Sequence, residues 1–233
     1  MAALQAVVFD LDGTLFDHPA AALAGLREWV AGRGGTVGPE VERAWFAAEE
    51  RHFAAWREGR CGFQEQRRRR LRDVLPLLGL PVGDDAALDA DYEGFLRAYE
   101  REWHAYDDVE ACLAVLAERG LRLAVLTNGM PEQQNAKIAA VGLAGRLGPV
   151  VTAGELGVAK PDPRAFAATC ERLGVAPGRA LYVGDDHAVD VLGARAAGMR
   201  AVHLDRRGLG PADEADRIEG LARLVDHLAD AAA

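Results

Sequence analysis

The apolar run Ala6-Val7-Val8-Phe9 leads directly into Asp10-Leu11-Asp12-Gly13-Thr14-Leu15. Four apolar residues that end at an acidic turn predict a strand buried on both faces of a parallel sheet. Side chains two residues apart project to the same side, so Asp10 and Asp12 are predicted to enter the crevice at the strand's carboxyl end. Two close carboxylates need a cation or a shared proton. A solvated Asp-Gly turn would look similar, so the interpretation depends on other residues.

Four more apolar runs, bounded by Gly, Asp or Pro, alternate with helical patterns along the rest of the chain. The predicted strands are 123–126, 149–151, 180–183 and 201–204, and the predicted helices are 109–119, 132–141, 163–173 and 189–197. A glycine follows each helix, where a helix C-terminus favours a left-handed residue. This βαβ alternation predicts an α/β fold with a doubly wound parallel sheet.

The segment between the first strand and the first of these helices has only helical patterns. We predict helices at about 20–32, 39–58, 63–78 and 84–104, hence an all-helical insertion that forms a second, smaller cap domain. The predicted domains are an α/β core at 1–16 and 105–233, and a helical cap at 17–104. The tail from about residue 213 is predicted to be one amphipathic helix.

Composition excludes several classes of protein. The net charge of the 233 residues is -9, which disfavours nucleic acid and anionic membranes as partners. No apolar run approaches the roughly 20 residues that span a bilayer. There is no serine, so serine hydrolases are excluded. The three cysteines, Cys61, Cys112 and Cys170, are far apart and fit reduced thiols. The N-terminal residues show neither the basic stretch nor the small-residue cleavage site of a secretory signal peptide, so we expect a cytoplasmic protein.

Three further motifs lie at the predicted ends of strands. Thr127-Asn128-Gly129 offers a hydroxyl, an amide and a free N–H to a phosphate, although it also suits a plain turn. Lys160-Pro161 follows the third strand. Only two of the 27 basic residues are lysines, and lysine is a compact charge that contacts several oxygens at once. We therefore interpret Lys160 as functional and Lys137, on a predicted helix, as a solvated surface charge.

The fourth strand ends in Gly184-Asp185-Asp186, with Asp190 one helical turn later. Clustered carboxylates are the hard oxygen ligands that Mg²⁺ selects, and without a cation they would destabilise a fold. Each motif is modest alone. Because all of them fall at the carboxyl ends of parallel strands, we expect them to converge at one edge of the sheet.

Together these motifs resemble those of the haloacid dehalogenase superfamily, in its branch with a helical cap after the first motif (C1 cap, subfamily I). By this resemblance Asp10 is the nucleophile that forms an aspartyl-phosphate, and Asp12 is the general acid and then the base. Thr127 and the Asn128 N–H would hold phosphoryl oxygens. Lys160 would act in catalysis by neutralising both the phosphate and the nucleophile.

The resemblance also implies a Mg²⁺ cofactor. Asp10, the Asp12 main-chain carbonyl and Asp185 would be its ligands, and Asp186 or Asp190 would contact its waters. Asp186 is the least secure of these, because many members have a small hydroxyl residue there. Since halide leaves without a proton, the presence of Asp12 argues for an ester leaving group and hence for a phosphatase.

The predicted function is hydrolysis of a small phosphorylated metabolite, such as a sugar phosphate, a phosphoglycolate-like acid or a nucleoside monophosphate, by a monomer or homodimer. Alternatives are a phosphomutase of the β-phosphoglucomutase type, a 2-haloacid dehalogenase, and a non-catalytic phosphate-binding module. Arg67 to Arg70 and Arg72, on a predicted cap helix, are interpreted as solvated and paired with acids, because consecutive residues cannot share one helix face. The aromatic residues of 45–56 are interpreted as packing between helices.

Overall fold

The computed structural model of the protein describes residues 3–230. They divide into two compact units. The core unit contains the described residues up to Asp17 and from His104 onward, and the helical unit is His18–Trp103. The core unit has both strands and helices, whereas the helical unit has helices alone among its elements.

The core unit contains one parallel sheet. Its strands among the described residues are β1 (Ala6–Phe9), β2 (Arg122–Thr127), β3 (Val150–Thr152), β4 (Ala180–Gly184), β5 (Arg200–Leu204) and β6 (Arg217–Ile218). They are ordered β3-β2-β1-β4-β5-β6. The first strand is central and every residue in it is buried, as its continuous apolar run predicts. The predicted doubly wound parallel sheet is confirmed.

The helices follow the predicted alternation closely. They are α1 (His18–Ala31), α2 (Pro39–Arg57), α3 (Phe63–Val74), α4 (Asp85–Arg101), α5 (Val109–Glu118), α6 (Pro131–Ala140), α7 (Ala153–Leu156), α8 (Pro163–Leu173), α9 (Gly193–Ala196) and α10 (Ala222–Asp230). Short 3₁₀ turns lie at Leu75–Leu78 and Pro177–Arg179, and a π-helical turn at His187–Leu192 precedes α9. No helix among the described residues has both the length and the apolar composition that a bilayer crossing requires.

Helices cover both faces of the sheet. On one face Ala6 and Val8 belong to a buried cluster with Phe166 and Cys170 of α8. The alternate residues of β1 point to the other face and are equally buried. Because strands β1, β2 and β4 are in register, with Phe9 opposite both Val125 and Val183, their carboxyl ends coincide at one edge.

The C-terminal segment differs from the prediction of one long helix. Residues Arg217–Ile218 instead form β6, which pairs in parallel with β5 through Leu204 and Ile218. The helix begins only at Ala222. Two residues are too few to show a strand pattern in the sequence. The segment is a strand because it pairs with β5 at the edge of the sheet. Residues 231–233 of the predicted helix lie outside the described residues.

The helical unit packs around aromatic side chains, as predicted. Trp45 is fully buried, and its ring lies 4.5 Å from that of Phe95. Trp56 contacts Phe53 and Phe63 at ring distances of 5.0 and 5.1 Å. These aromatic pairs join α2 to α3 and α4. The aromatic residues therefore recur at helical spacing because they pack between helices, and they do not form a surface on which bases could stack.

Four of the five arginines of α3 divide into two groups. Arg68, Arg69 and Arg72 pair with acidic side chains, including Glu65 and Asp85, as the interpretation of a solvated helix predicts. Arg70 departs from that interpretation. It is buried, contacts Glu49 at 3.1 Å and lies over the Trp45 ring. The charge of Glu49 and the hydrogen bond that Arg70 donates to the Tyr92 hydroxyl offset part of the cost of burying this guanidinium group.

Leu113 on α5 provides a test of the core. Its side chain is 1% exposed, so Leu113→Ala should lower the free energy of unfolding by about 2–5 kcal/mol, measured by urea denaturation. Leu209→Ala removes the same atoms at a position that is 75% exposed, and should change stability by less than about 0.5 kcal/mol. Equal effects of the two substitutions would contradict the assigned core.

Candidate active site

The turn after β1 packs closely against the end of β4, and Gly13 makes this approach possible. Leu15 and Phe16 N–H groups donate to the Leu11 carbonyl, which closes the turn. Gly13 has a φ of +89°, and a Cβ there would lie 2.4 Å from a carboxylate oxygen of Asp185. Only glycine combines this conformation with so close an approach. The Asp-Gly pair therefore brings the first strand's turn against the end of β4.

The ammonium group of Lys160 is the centre of the site. It is buried and contacts Asp10 Oδ1 at 2.5 Å, Asp190 Oδ1 at 2.7 Å and the Tyr182 hydroxyl at 2.8 Å. Its three N–H bonds thus have three acceptors. Tyr182 in turn donates to the Leu126 carbonyl at 3.0 Å. Tyr182 was missed by the sequence reasoning, since in a buried strand a tyrosine looks like any large apolar residue.

Asn128 holds the backbone that carries this lysine. Its side-chain amide donates to the Lys160 carbonyl at 2.9 Å, and its oxygen accepts the Lys160 N–H at 2.8 Å. The Lys160-Pro161 peptide is cis. The side chain of Asn128 is therefore occupied with loop 157–162, which leaves only its backbone for the phosphate contact implied by the resemblance.

Three carboxylates surround this ammonium group. Oxygen atoms of Asp10, Asp185 and Asp190 all lie within 4.8 Å of one another. Burial raises the pKa of Asp10 well above its usual range, and the charges of Asp190 and Asp185 raise it further, although Lys160 opposes them. Loss of hydration, and then the charge of Asp190, raise the pKa of Asp185 to about 7, although part of this residue is exposed to solvent.

The same crowding affects the lysine. Burial disfavours its charged form, yet the carboxylates of Asp10 and Asp190 raise the pKa of Lys160 above its ordinary value. The three acids outnumber the one ammonium group, so an excess of negative charge remains where Asp10, Lys160 and Asp190 are buried. A divalent cation fits this excess, and a set of carboxylate oxygens is what Mg²⁺ prefers.

Asp186 and Asp190 have separate roles in the fold. Asp186 Oδ1 accepts from the N–H groups of Ala188 and Val189 at 3.0 and 2.9 Å and so caps the π-helical turn. Asp190 is buried inside the acidic cluster, where its second oxygen accepts the Asp186 N–H at 3.1 Å. Of the two, Asp190 is the residue that the structure places beside Asp10 and Lys160.

The side chain of Asp12 faces helix α6 instead of the acidic cluster. Lys137 Nζ lies 2.5 Å from Asp12 Oδ1, and Gln134 Nε2 donates to Asp12 Oδ2 at 2.8 Å. Gln134 Nε2 also donates to Thr127 Oγ1 at 2.6 Å. The interpretation of Lys137 as a solvated surface charge is therefore wrong, because the residue is 4% exposed.

One signal could have found Lys137. The scarcity of lysine that singles out Lys160 applies equally to the other lysine of the chain. Gln134, three residues earlier on the helix, lies on the same face. Gln134 is not part of a recognisable motif, so only its contact with Asp12 distinguishes it.

Known proteins that are similar to this chain include enzymes of one hydrolase family. The haloacid dehalogenase-like hydrolase family matches residues 4–198. The chain belongs to this family. Ribulose-1,5-bisphosphate 5-phosphatase of Halopiger xanaduensis is 31% identical over 94% of this chain and 90% of its own length.

Two other similar proteins represent different activities of the family. Phosphoserine phosphatase of Thermus thermophilus is 48% identical over 52% of this chain, and the match spans 48% of that relative, about half its length. A crystal structure described as a dehalogenase with intermediate complex is 27% identical, with a TM-score of 0.78, over 98% of this chain and 99% of that one. Family membership alone therefore leaves the leaving group open.

Asp186 offers a test of its capping contacts. Asp186→Ala should lower the free energy of unfolding by about 1 kcal/mol, because two N–H groups lose their acceptor. Asp186→Ser keeps a capping oxygen and should retain most of that stability in the same urea titration. An equal loss in both variants would show that the cap is not what Asp186 contributes.

Proposed function

We propose that the protein is a phosphatase in which Asp10 attacks a phosphate monoester of a small metabolite. The observation that carries the proposal is the contact of a buried Lys160 ammonium group with Asp10, while Asp12, two residues on, is held apart from it. An attacking carboxylate and a dianionic phosphate repel each other. Fixed positive charge beside the nucleophile makes their approach possible.

In the first step an Asp10 oxygen forms a bond to phosphorus while the bond from phosphorus to the ester oxygen breaks. Asp12, in its acid form, gives its proton to that ester oxygen, and the alcohol leaves. Thr127 and the Asn128 N–H are proposed to hold phosphoryl oxygens during this transfer. Thr127 is the last residue of β2 and Asn128 follows it, and β2 is the neighbour of β1 in the sheet.

In the second step water hydrolyses the aspartyl-phosphate. Asp12, now a carboxylate, takes a proton from the water as the water oxygen bonds to phosphorus. The bond between phosphorus and the Asp10 oxygen breaks, which releases inorganic phosphate and restores the nucleophile. The same side chain thus serves as acid and then as base.

Asp10, Asp185 and the main-chain carbonyl of Asp12 are the groups that we propose to hold Mg²⁺, with Asp190 or Asp186 near its waters. Bound there, the ion would offset the negative charge shared by the phosphate and the acidic cluster. Of the two acids, the position of Asp190 within the cluster supports it over Asp186.

Asp12 also supports phosphate ester hydrolysis over dehalogenation. Halide departs without a proton, so a dehalogenase has no use for an acid two residues after the nucleophile. The relatives that act on phosphoserine and on ribulose 1,5-bisphosphate support a small phosphorylated metabolite as the substrate. The helical unit is our candidate for the part of the chain that selects among such metabolites.

Substitution of the nucleophile tests the proposal most directly. With Mg²⁺ present, the wild-type protein should release phosphate from at least one of phosphoserine, ribulose 1,5-bisphosphate, a hexose phosphate, phosphoglycolate and a nucleoside monophosphate. Asp10→Asn should lower that rate at least about 1,000-fold, because no carboxylate oxygen remains to attack phosphorus.

Asp226→Asn is the matched control. Its side chain is 69% exposed, and its substitution should leave the rate unchanged. Phosphate release that persists in Asp10→Asn would overturn the mechanism. Release of halide from 2-chloropropionate, with no hydrolysis of any phosphate ester, would favour the dehalogenase alternative.

Removal of the metal is a separate test. Treatment with EDTA should abolish phosphate release and addition of excess Mg²⁺ should restore it, since the acidic cluster otherwise repels the substrate. The unfolding temperature should also rise on addition of Mg²⁺, because an ion that binds only the folded state stabilises it. Full activity in the presence of EDTA would contradict the proposed metal site.

A further inference from the structure

We propose that Lys137 and Gln134 are positioning residues that hold the Asp12 carboxyl group where it can exchange a proton with the ester oxygen. The inference rests on the proposed function of Asp12. It concerns two residues of α6 that belong to none of the four motifs. Their contacts with Asp12 span 125 and 122 residues of sequence.

The two side chains act on the two oxygens of one carboxyl group. Lys137 contacts Oδ1 and Gln134 contacts Oδ2. An aspartate rotates about two side-chain bonds, so one contact would leave its outer oxygens free to turn. Two donors at positions i and i+3 of a single helix are held at a fixed separation, and together they define both rotations.

Gln134 also connects Asp12 with the proposed phosphate site. Its amide nitrogen contacts Asp12 and Thr127 together, at 2.8 and 2.6 Å. Gly129 makes room for this amide, because a Cβ at that position would lie 2.4 Å from the Gln134 side-chain carbon Cδ. The glycine after Thr127-Asn128 is thus required by Gln134, apart from any part it has in the turn.

A merely structural role accounts poorly for Lys137. Buried ion pairs contribute little net stability, and an apolar side chain would fill the same space at lower cost. Lys137 is 4% exposed, and its ammonium group lies 4.8 Å from the centre of the Phe16 ring. A chain that otherwise uses arginine has here a compact ammonium group directed at Asp12.

Two aryl phosphates test the inference. Phenyl phosphate needs a proton on its departing oxygen, whereas 2,4-dinitrophenyl phosphate releases a stable anion. Lys137→Met and Gln134→Met should each lower kcat/KM for phenyl phosphate by about 10- to 100-fold, because proton transfer depends on placement. For 2,4-dinitrophenyl phosphate the loss should be about 3-fold or less. A residue that only supports the fold would affect both esters equally.

The Asp12→Asn background provides a second readout. If Lys137 acts through Asp12, adding Lys137→Met to Asp12→Asn should cause no further loss on phenyl phosphate. Asn135→Ala, an exposed substitution on the same helix, should leave both esters unaffected. Equal losses on the two esters in Lys137→Met, or a full additional loss in the double variant, would overturn the inference.

Crystal structures of the two methionine variants separate this inference from the proposed function. The Asp12 carboxyl group should move by about 1 Å or more in each, a displacement large enough to impair catalysis. An unchanged Asp12 in both structures would overturn the positioning role, whatever the activity. Failure of the folded wild-type protein to hydrolyse either ester with Mg²⁺ would instead count against the proposed function.

Discussion

The buried ammonium group of Lys160 constrains several elements of the core unit at once. A buried cation is tolerated only when its N–H groups all have acceptors, and here Asp10, Asp190 and Tyr182 supply them. These partners come from the end of β1, the π-helical turn and the middle of β4. Because Asn128 fixes the lysine's backbone from the end of β2, one charge ties together the central strands of the sheet.

This arrangement gives every N–H of the Lys160 ammonium group an acceptor, but it leaves the negative charge of the surrounding acids only partly neutralised. Asp10 and Asp190 both contact the one ammonium group and Asp185 lies beside them, and this crowding contributes to the raised pKa values of Asp10 and Asp185. A fold optimised for stability alone would have replaced at least one of these acids. Local violations of this kind are characteristic of functional sites, where a ligand supplies what the protein lacks. The crowding is therefore the physical basis for both the metal and the phosphate in the proposed mechanism.

Asp10 and Asp12 show how neighbouring residues of one type acquire different chemistry. The first is buried beside Lys160, whereas the second turns toward Lys137 and Gln134 on α6. The two lysines of the chain thus contact the two aspartates of its first motif, one each. This separation suits a nucleophile and a proton carrier, which must act on opposite sides of the same breaking bond.

The parallel sheet could be predicted from the sequence, because apolar runs and helix-ending glycines are local patterns. The same runs place Asp10, Thr127 and Asp185 at strand ends, because they mark where β1, β2 and β4 stop, whereas Lys160 lies in the loop after α7. The pairings depend on the three-dimensional fold: Lys137 contacts Asp12, Asp190 rather than Asp186 contacts Lys160, and β6 pairs with β5. The side-chain contacts join residues that are far apart in the chain, and β6 has only two residues. Neither can be predicted from the spacing of residue types along the sequence.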